Sequence, residues 1–124
     1  MSFISDDEKL ISDEFLSKGY IIRDIGNIEE LDKIRSEIYY ILNNKKPSSK
    51  EELKLFFDNT HNKIDQSMLN EKRVELIAKL NSLHWLRESY YKIGKEYLDL
   101  IVGNELSMQL RINLSIQLVP DNRL

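Results

Sequence analysis

The sequence predicts an α+β fold that is mainly helical, with about five helices, a short N-terminal strand and a long C-terminal β-strand. Apolar residues recur three and four positions apart over much of the chain, which predicts helices. A β-branched run at Tyr20–Ile25 and a strict alternation over Leu106–Leu118 predict the two strands. With 124 residues, 41% hydrophobic and 31% charged, residues 1–124 are expected to form one soluble globular domain.

The first predicted helix begins at a capping box. Ser5 and Glu8 have the spacing at which each side chain bonds the backbone N–H of the other. Gly19 has the position of a left-handed C-terminal cap. The run from Tyr20 to Ile25 then predicts a short strand. The residues expected to form the apolar side of the first helix are Leu10, Ile11, Phe15 and Leu16.

Four further helices are indicated by their caps and their apolar spacing. Asn27 is expected to cap the second, and a second capping box, Ser48 to Glu51, to open the third. The fourth is predicted over about Met68 to Asn81 and the fifth over about Leu83 to Val102. The residues of the fifth helix that are expected to face the core are Leu86, Tyr90, Ile93, Tyr97, Leu100 and Ile101.

The C-terminal segment alternates between apolar and polar residues without exception. Its even-numbered residues from Leu106 to Leu118 are apolar, and the odd-numbered residues between them are polar. This pattern is typical of a strand with one buried and one solvated face. At about 3.3 Å per residue the strand would extend about 40 Å, and its edges would need partners. We interpret the chain as the front part of a larger β-containing fold or as a protomer that completes its sheet with another copy. In both cases we expect a homodimer with this strand at or near the interface.

Composition excludes several classes of function. The 18 basic and 21 acidic residues give a net charge of −3, which disfavours binding to nucleic acid. The sequence contains no cysteine, and therefore no disulfide or thiolate metal site. It has no apolar run of membrane-spanning length and no signal-peptide pattern at its start, so we expect a cytoplasmic protein without a membrane partner. It also lacks a Gly-x-Ser-x-Gly elbow and a glycine-rich phosphate loop.

Several blocks of sequence carry a resemblance to a known family. The blocks are Phe15–Tyr20, Leu69–Arg73, Trp85–Tyr91, Tyr97–Leu106 and Arg111–Leu118. Together they resemble the N-terminal portion of 2-oxoglutarate/Fe(II)-dependent oxygenases, of the phytanoyl-CoA-dioxygenase-like kind found in bacterial surface-carbohydrate gene clusters. The resemblance covers most of the chain and is best from about Leu69 onward.

The resemblance implies a helical region that packs against a double-stranded β-helix, in which a His-x-Asp pair and a distal His hold the iron. In this sequence His61 is followed two residues later by Lys63, and His84 by Leu86. All three ligands of the family are therefore missing, and the chain ends about where the first metal motif would be approached. We expect no catalytic residue, metal or cofactor in this chain, since Fe(II), 2-oxoglutarate and a carbohydrate-linked substrate would belong to a full-length relative.

Two functions are compatible with these observations. The first is a non-catalytic N-terminal module, or truncated form, of an oxygenase-like protein, which buttresses the β core and supplies part of a pocket wall. The alternative is a stand-alone α+β interaction module that homodimerises through the C-terminal strand. In the first case the polar side of that strand would line the substrate or cosubstrate pocket. The alternative interpretation is a solvated face of a half-buried sheet. Its residues are Arg111, Asn113, Ser115 and Gln117.

Two weaker candidate sites are also present. The first is an aromatic and cationic patch that could bind a ligand. In the alternative interpretation Tyr90 packs in the core, and Arg87 and Glu88 lie on a solvated helix face. The second is a histidine site, but one histidine beside two aspartates does not define a metal centre, and His84 suits a capping or surface role. The residues of the patch are Trp85, Arg87, Glu88, Tyr90 and Tyr91, and the polar loop around His61 contains Asp58 and Asp65.

Overall fold

The computed structural model describes residues 5–60 and 65–102, and this part of the chain is helical. The α-helices there are α1 (Asp6–Lys18), α2 (Ile28–Asn43), α3 (Lys50–Asp58), α4 (Leu69–Ser82) and α5 (Leu86–Val102), with a 3₁₀ turn at Gln66–Met68 before α4. None of the helices in the described ranges is long and apolar enough to cross a membrane.

The ends of α1 and the start of α2 follow the predicted capping residues. The Glu8 backbone N–H donates to Ser5 Oγ at 3.2 Å, and the Ser5 N–H donates to the Glu8 carboxylate at 2.7 Å. Gly19 ends α1 with a φ of +79°, a conformation that glycine adopts without steric cost. The Asn27 side chain accepts from the Glu30 N–H at 3.3 Å. Local hydrogen bonding therefore fixes both ends of the segment that joins these helices.

Helix α3 is capped one residue later than predicted. Ser49, not Ser48, accepts from the backbone of Glu52, at 3.1 Å. The Glu52 carboxylate is bonded to Ser48, through the Ser48 N–H at 2.6 Å and the Ser48 hydroxyl, and it accepts from the Tyr39 hydroxyl of α2 at 2.6 Å. This carboxylate therefore holds the α2–α3 connection closed against α2.

The prediction of an α+β fold is wrong for the described residues. Tyr20–Ile25 is an extended connection between α1 and α2, and no strand is present in 5–60 or 65–102. No backbone–backbone hydrogen bond joins this segment to any other described residue. β-Branched residues favour extended backbone, but a strand also requires a partner for its N–H and C=O groups. The predicted C-terminal strand, Leu106–Leu118, lies outside the described residues.

Helix α2 packs on two sides and holds the core together. On one side Ile41 is buried with Leu76 and Leu80 of α4 and Leu86 of α5. On the other side Tyr39 is buried with Leu53 and Phe56 of α3. The Tyr39 and Phe56 rings meet edge to face with their centroids 5.0 Å apart, a favourable aromatic geometry.

Helix α5 buries a different side from the one predicted. Leu86 is buried and Ile93 is half-buried, as expected, but Tyr90 is 65% exposed and Ile101 is 60% exposed. Ser89, which the apolar pattern passes over, is buried instead. Residues 86, 89 and 93 share one side of the helix. Residues 90 and 101, which are three turns apart, share a different side. The predicted core stripe combined two sides, and only one of them packs on α2.

The Leu80→Ala substitution should destabilise the protein strongly. Leu80 is 2% exposed at the contact between α2 and α4, so the shorter side chain leaves a cavity. We expect the free energy of unfolding to fall by about 2–5 kcal/mol in urea denaturation. Leu55→Ala on α3, where the side chain is 63% exposed, is the matched control and should change it by less than about 0.5 kcal/mol. Equal effects would contradict this description of the core.

Glu52→Gln should alter the dependence of stability on pH. Hydrogen bonds from Ser48, and then from Tyr39, lower the pKa of Glu52 from 4.5 to about 2. A carboxylate with a lowered folded-state pKa stabilises the fold at neutral pH, and that stability is lost as the pH falls from about 5 toward 2. In urea denaturation across this pH range, the free energy of unfolding should fall less steeply with decreasing pH in Glu52→Gln than in the wild type. Glu51→Gln on the same helix should keep the wild-type slope, and parallel slopes for all three proteins would refute the role of Glu52.

Candidate functional site

Large apolar side chains are exposed from the second half of α1 to the start of α2. We call this set the N-terminal apolar surface, and its members are between 42% and 79% exposed: Phe15, Leu16, Tyr20, Ile22, Ile25 and Ile28. Helix α1 contributes no buried residue, although a surface helix ordinarily buries an apolar stripe. Concentrated exposed apolar side chains are typical of surfaces that bind other structures.

An ion pair fixes the extended segment to α1. The Arg23 guanidinium donates to both carboxylate oxygens of Glu14, and the bond between Nη1 and Oε1 is 3.2 Å long. Chiefly because of this hydrogen bonding, the pKa of Glu14 is lowered to about 2. Lys18 also contacts the Glu14 carboxylate, at 3.4 Å. Because Arg23 bonds both oxygens of the carboxylate, the ion pair fixes the orientation of the segment in addition to attracting it to α1.

The extended backbone directs two apolar side chains away from the helices. Successive side chains point to opposite sides of an extended chain. Arg23 is directed to Glu14 and Ile21 is half-buried, whereas Tyr20 and Ile22 are exposed. The contact that holds the segment therefore leaves Tyr20 and Ile22 available for a second structure.

The segment runs beside the C-terminal half of α5. The pKa of the Arg23 guanidinium is raised, chiefly by its hydrogen bonds to Glu14 and to a smaller extent by Tyr97, so Tyr97 lies near Arg23. A Cβ atom added at Gly26 would lie 3.4 Å from the Glu96 carboxylate. A shallow cleft of about 270 Å³ follows this contact, and its lining residues are Gly26, Asn27, Lys92, Ile93, Lys95, Glu96 and Tyr97. The N-terminal apolar surface therefore borders the end of α5.

A second apolar side lies on α5 itself. We call it the outer side of α5, formed by Tyr90, Gly94, Leu98 and Ile101 at helical spacing. A Cβ atom at Gly94 would meet only Leu98 among the atoms within 4 Å, at 3.4 Å and 3.6 Å. No other backbone among the described residues approaches this glycine, so within 5–60 and 65–102 nothing else fills the space above it.

The polar cluster on α5 is a helix-stabilising network. The Tyr91 hydroxyl and the Lys95 ammonium each donate to one oxygen of Asp99. The pKa of Asp99 is lowered, first by Lys95 and then by Tyr91, and the pKa of Tyr91 is raised by its bond to Asp99. A raised pKa makes the tyrosine a weaker acid than usual, the opposite of what proton transfer near neutral pH requires. The three side chains are one turn apart and satisfy one another.

The structure separates the residues of the predicted aromatic and cationic patch. Lys33 Nζ lies 4.4 Å from the centroid of the Trp85 ring, Arg87 contacts Asn81 at 3.4 Å, and Glu88 pairs with Lys92 at 3.2 Å. Tyr90 was expected in the core and is exposed instead. The side chains of the predicted patch therefore have separate neighbours and do not line a common pocket.

The other predicted candidates fall in a turn or outside the described residues. His84 is exposed in the turn between α4 and α5. Within 5–60 and 65–102, no three His, Cys, Asp or Glu side chains are placed to hold a metal ion. The residues outside the described ranges are His61, Arg111, Asn113, Ser115 and Gln117.

The sequence analysis missed the exposure of α1. It treated Leu10, Ile11, Phe15 and Leu16 as one apolar side, yet Ile11 alone among them is half-buried. These four residues spread over about 240° of the helix circumference, so they cannot form one side. This mismatch was visible in the sequence and indicates a helix that is apolar on more than one side.

Comparisons of the chain with protein-family models, with curated proteins and with solved structures gave no match. The resemblance to oxygenases therefore rests on the sequence blocks named above, and the function is argued from the exposed apolar residues.

Glu14→Gln should expose the extended segment to protease. Loss of the carboxylate removes the ion pair that holds Arg23 against α1. Trypsin, which cleaves after arginine, should therefore cut after Arg23 several times faster in the variant, as followed by mass spectrometry of timed samples. Asp58→Asn breaks the Lys54–Asp58 pair of α3 (2.9 Å) and should leave this rate unchanged. An unchanged rate in Glu14→Gln would show that the pair does not hold the segment.

Proposed function

We propose that this chain is a non-catalytic helical packing module of an oxygenase-like protein. Its role is to present the N-terminal apolar surface to apolar structure in the remainder of that protein, and so to buttress the core and form part of a pocket wall. The observation that carries the proposal is the exposure of six large apolar side chains between Phe15 and Ile28.

The chemistry of this surface favours a protein partner over a small molecule. Small-molecule sites are concave and direct a few polar groups at their ligand. The N-terminal apolar surface is instead made of aliphatic and aromatic side chains on a helix and an extended segment. In the neighbouring cleft, Lys92 pairs with Glu88 and Lys95 with Asp99, so their charges are already satisfied. Apolar packing is the interaction that these residues offer.

The oxygenase-like part of the proposal is supported by the sequence blocks. Leu69–Arg73 forms the start of α4, and Trp85–Tyr91 spans the turn before α5 and its first residues. Phe15–Tyr20 includes the end of α1 and three members of the N-terminal apolar surface. The resemblance thus covers the helices beside the exposed residues as well as the exposed residues themselves.

A second candidate function is homodimerisation. It is supported by the outer side of α5, where Tyr90 and Ile101 are exposed and Gly94 leaves room for close approach. A second copy of the chain could cover that side, together with the predicted contact through Leu106–Leu118. Such a module would work as an interaction partner and would need no remainder of an oxygenase.

Two pairs of substitutions in the full chain test the packing role. Leu16→Ser with Ile22→Ser changes the two most exposed members of the N-terminal apolar surface. The control is Leu55→Ser with Val74→Ser, on exposed sites of α3 and α4. If the surface is packed against other structure, the first pair should lower the free energy of unfolding by about 2 kcal/mol or more. The control pair should cost less than about 1 kcal/mol.

The concentration dependence of this loss separates the two candidates. Urea denaturation and light scattering at several protein concentrations report whether the contact lies within one chain or between chains. A loss that is independent of concentration supports the packing module, and a loss confined to a dimer supports homodimerisation. Equal, small losses for both pairs of substitutions would refute a packing role for the N-terminal apolar surface.

A further inference from the structure

We infer that residues 5–25 form an arm that swings as one rigid body away from the bundle of α2–α5, with Gly26 as its hinge. The arm consists of α1 with its N-cap and the extended segment, and it carries five of the six members of the N-terminal apolar surface. The movement goes beyond the proposed packing role, because it does not depend on what that surface contacts. Its support comes from the burial of the arm, its polar contacts and the position of the glycine.

The arm contributes nothing to the buried core. No residue of 5–25 is buried, whereas both core clusters lie within residues 34–86. Ile11 and Ile21 are the most covered large apolar residues of the arm, and each is only half-buried. Segments with few buried apolar contacts open at a small fraction of the free energy of global unfolding. The arm can therefore leave α5 while the bundle stays folded.

The polar contacts of the arm are internal. Glu14 accepts from Arg23 and from Lys18. Ser5 and Glu8 bond each other in the capping box. Among the described residues, no hydrogen bond or ion pair joins 5–25 to 26–60 or to 65–102. The Glu14–Arg23 pair therefore holds the arm together without attaching it to the bundle, and a swing breaks none of these bonds.

Gly26 separates the arm from the bundle. The next residue, Asn27, caps α2, so the regular structure of the bundle begins immediately after the glycine. Gly26 is exposed, and among the described residues a Cβ atom there would meet only the Glu96 carboxylate, at 3.4 Å. Glycine has the widest backbone freedom of any residue, and hinges consist of a few such loop positions. Rotation about Gly26 can therefore move the arm without distorting α1 or α2.

The swing uncovers part of α5 and turns the N-terminal apolar surface. In the docked position the arm lies beside Tyr97 of α5 and next to the shallow cleft. Swinging out exposes this part of α5 to solvent. Because the arm is rigid, its apolar side chains keep their relative positions while their orientation to the bundle changes. One bundle can thus present the same surface at more than one angle, and contact with a partner would select one of them.

Spin-label distances in the full chain test the movement, because the sequence has no cysteine of its own. Labels at Asp13→Cys and Leu55→Cys report on the arm relative to α3, and double electron–electron resonance gives the distribution of distances between them. The matched pair within the bundle is Leu55→Cys with Tyr90→Cys, and all three sites are exposed. We expect the distribution of the arm–bundle pair to be about twice as wide as that of the matched pair, or wider.

A third pair of labels tests whether the arm moves as one body. Lys9→Cys with Asp24→Cys lies within the arm and should give a distribution as narrow as that of the pair within the bundle. Adding Glu14→Gln should widen it, because the carboxylate that holds Arg23 is lost. Asp58→Asn on α3 is the control for this change and should leave the distribution within the arm as it is.

Gly26→Val tests the hinge. A β-branched side chain restricts the backbone rotation that glycine allows. The distribution of the arm–bundle pair should therefore narrow toward that of the pair within the bundle, which should itself stay unchanged in this variant. Helical circular dichroism equal to that of the wild type would show that the variant keeps its helices.

Two results would overturn the inference. A distribution for the arm–bundle pair as narrow as that within the bundle would show that the arm is fixed on α5. A distribution within the arm as wide as that of the arm–bundle pair would show that the arm does not move as one body. Neither result decides the proposed packing role, which is refuted instead by equal, small losses of stability for Leu16→Ser with Ile22→Ser and for its control pair.

Discussion

The two-sided packing of α2 is the constraint on which the rest of the structure depends. Tyr39 and Ile41 are two residues apart, which places them about 200° apart around the helix. One is buried against α3 and the other against α4 and α5. Leu42 packs against both clusters and connects them. Helix α1 contacts the bundle through α5, and none of its residues is buried.

The connections that lead into and out of α2 are held by the same kind of interaction. In each a carboxylate whose pKa is lowered to about 2 accepts several hydrogen bonds: Glu14 for the segment between α1 and α2, and Glu52 for the connection between α2 and α3. Neither connection has backbone pairing that would fix its path. Side-chain hydrogen bonds to a charged carboxylate therefore fix the path of each connection, which backbone hydrogen bonds would fix in a strand or a helix.

Local features of the fold could be predicted from the sequence, and tertiary features could not. Ser5, Gly19 and Asn27 cap their helices as predicted, because each cap depends on a few neighbouring residues. The predicted fold class was wrong for the described residues. A β-branched run indicates that the backbone prefers to be extended, but it does not show that a partner strand is present. The exposure of Tyr90 was missed for a related reason. Helical spacing shows which residues share a side, and only the position of α2 decides which side is buried.

The candidate site was the least predictable part. Phe15 and Leu16 look like core residues in sequence, yet both are exposed. Apolar spacing predicts the helix, and only the packing of α1 in the structure shows that none of its side chains is buried.

The environment of Trp85 makes this protein a convenient spectroscopic system. Trp85 is the only tryptophan in the chain, and it packs beside the cluster of Ile41, Leu76, Leu80 and Leu86 with Lys33 over its ring. Its emission therefore reports on the contacts among α2, α4 and α5. Unfolding of α1 alone would leave these contacts of Trp85 in place and would lower the helical circular dichroism instead. One chain thus carries separate optical signals for its core and for its periphery.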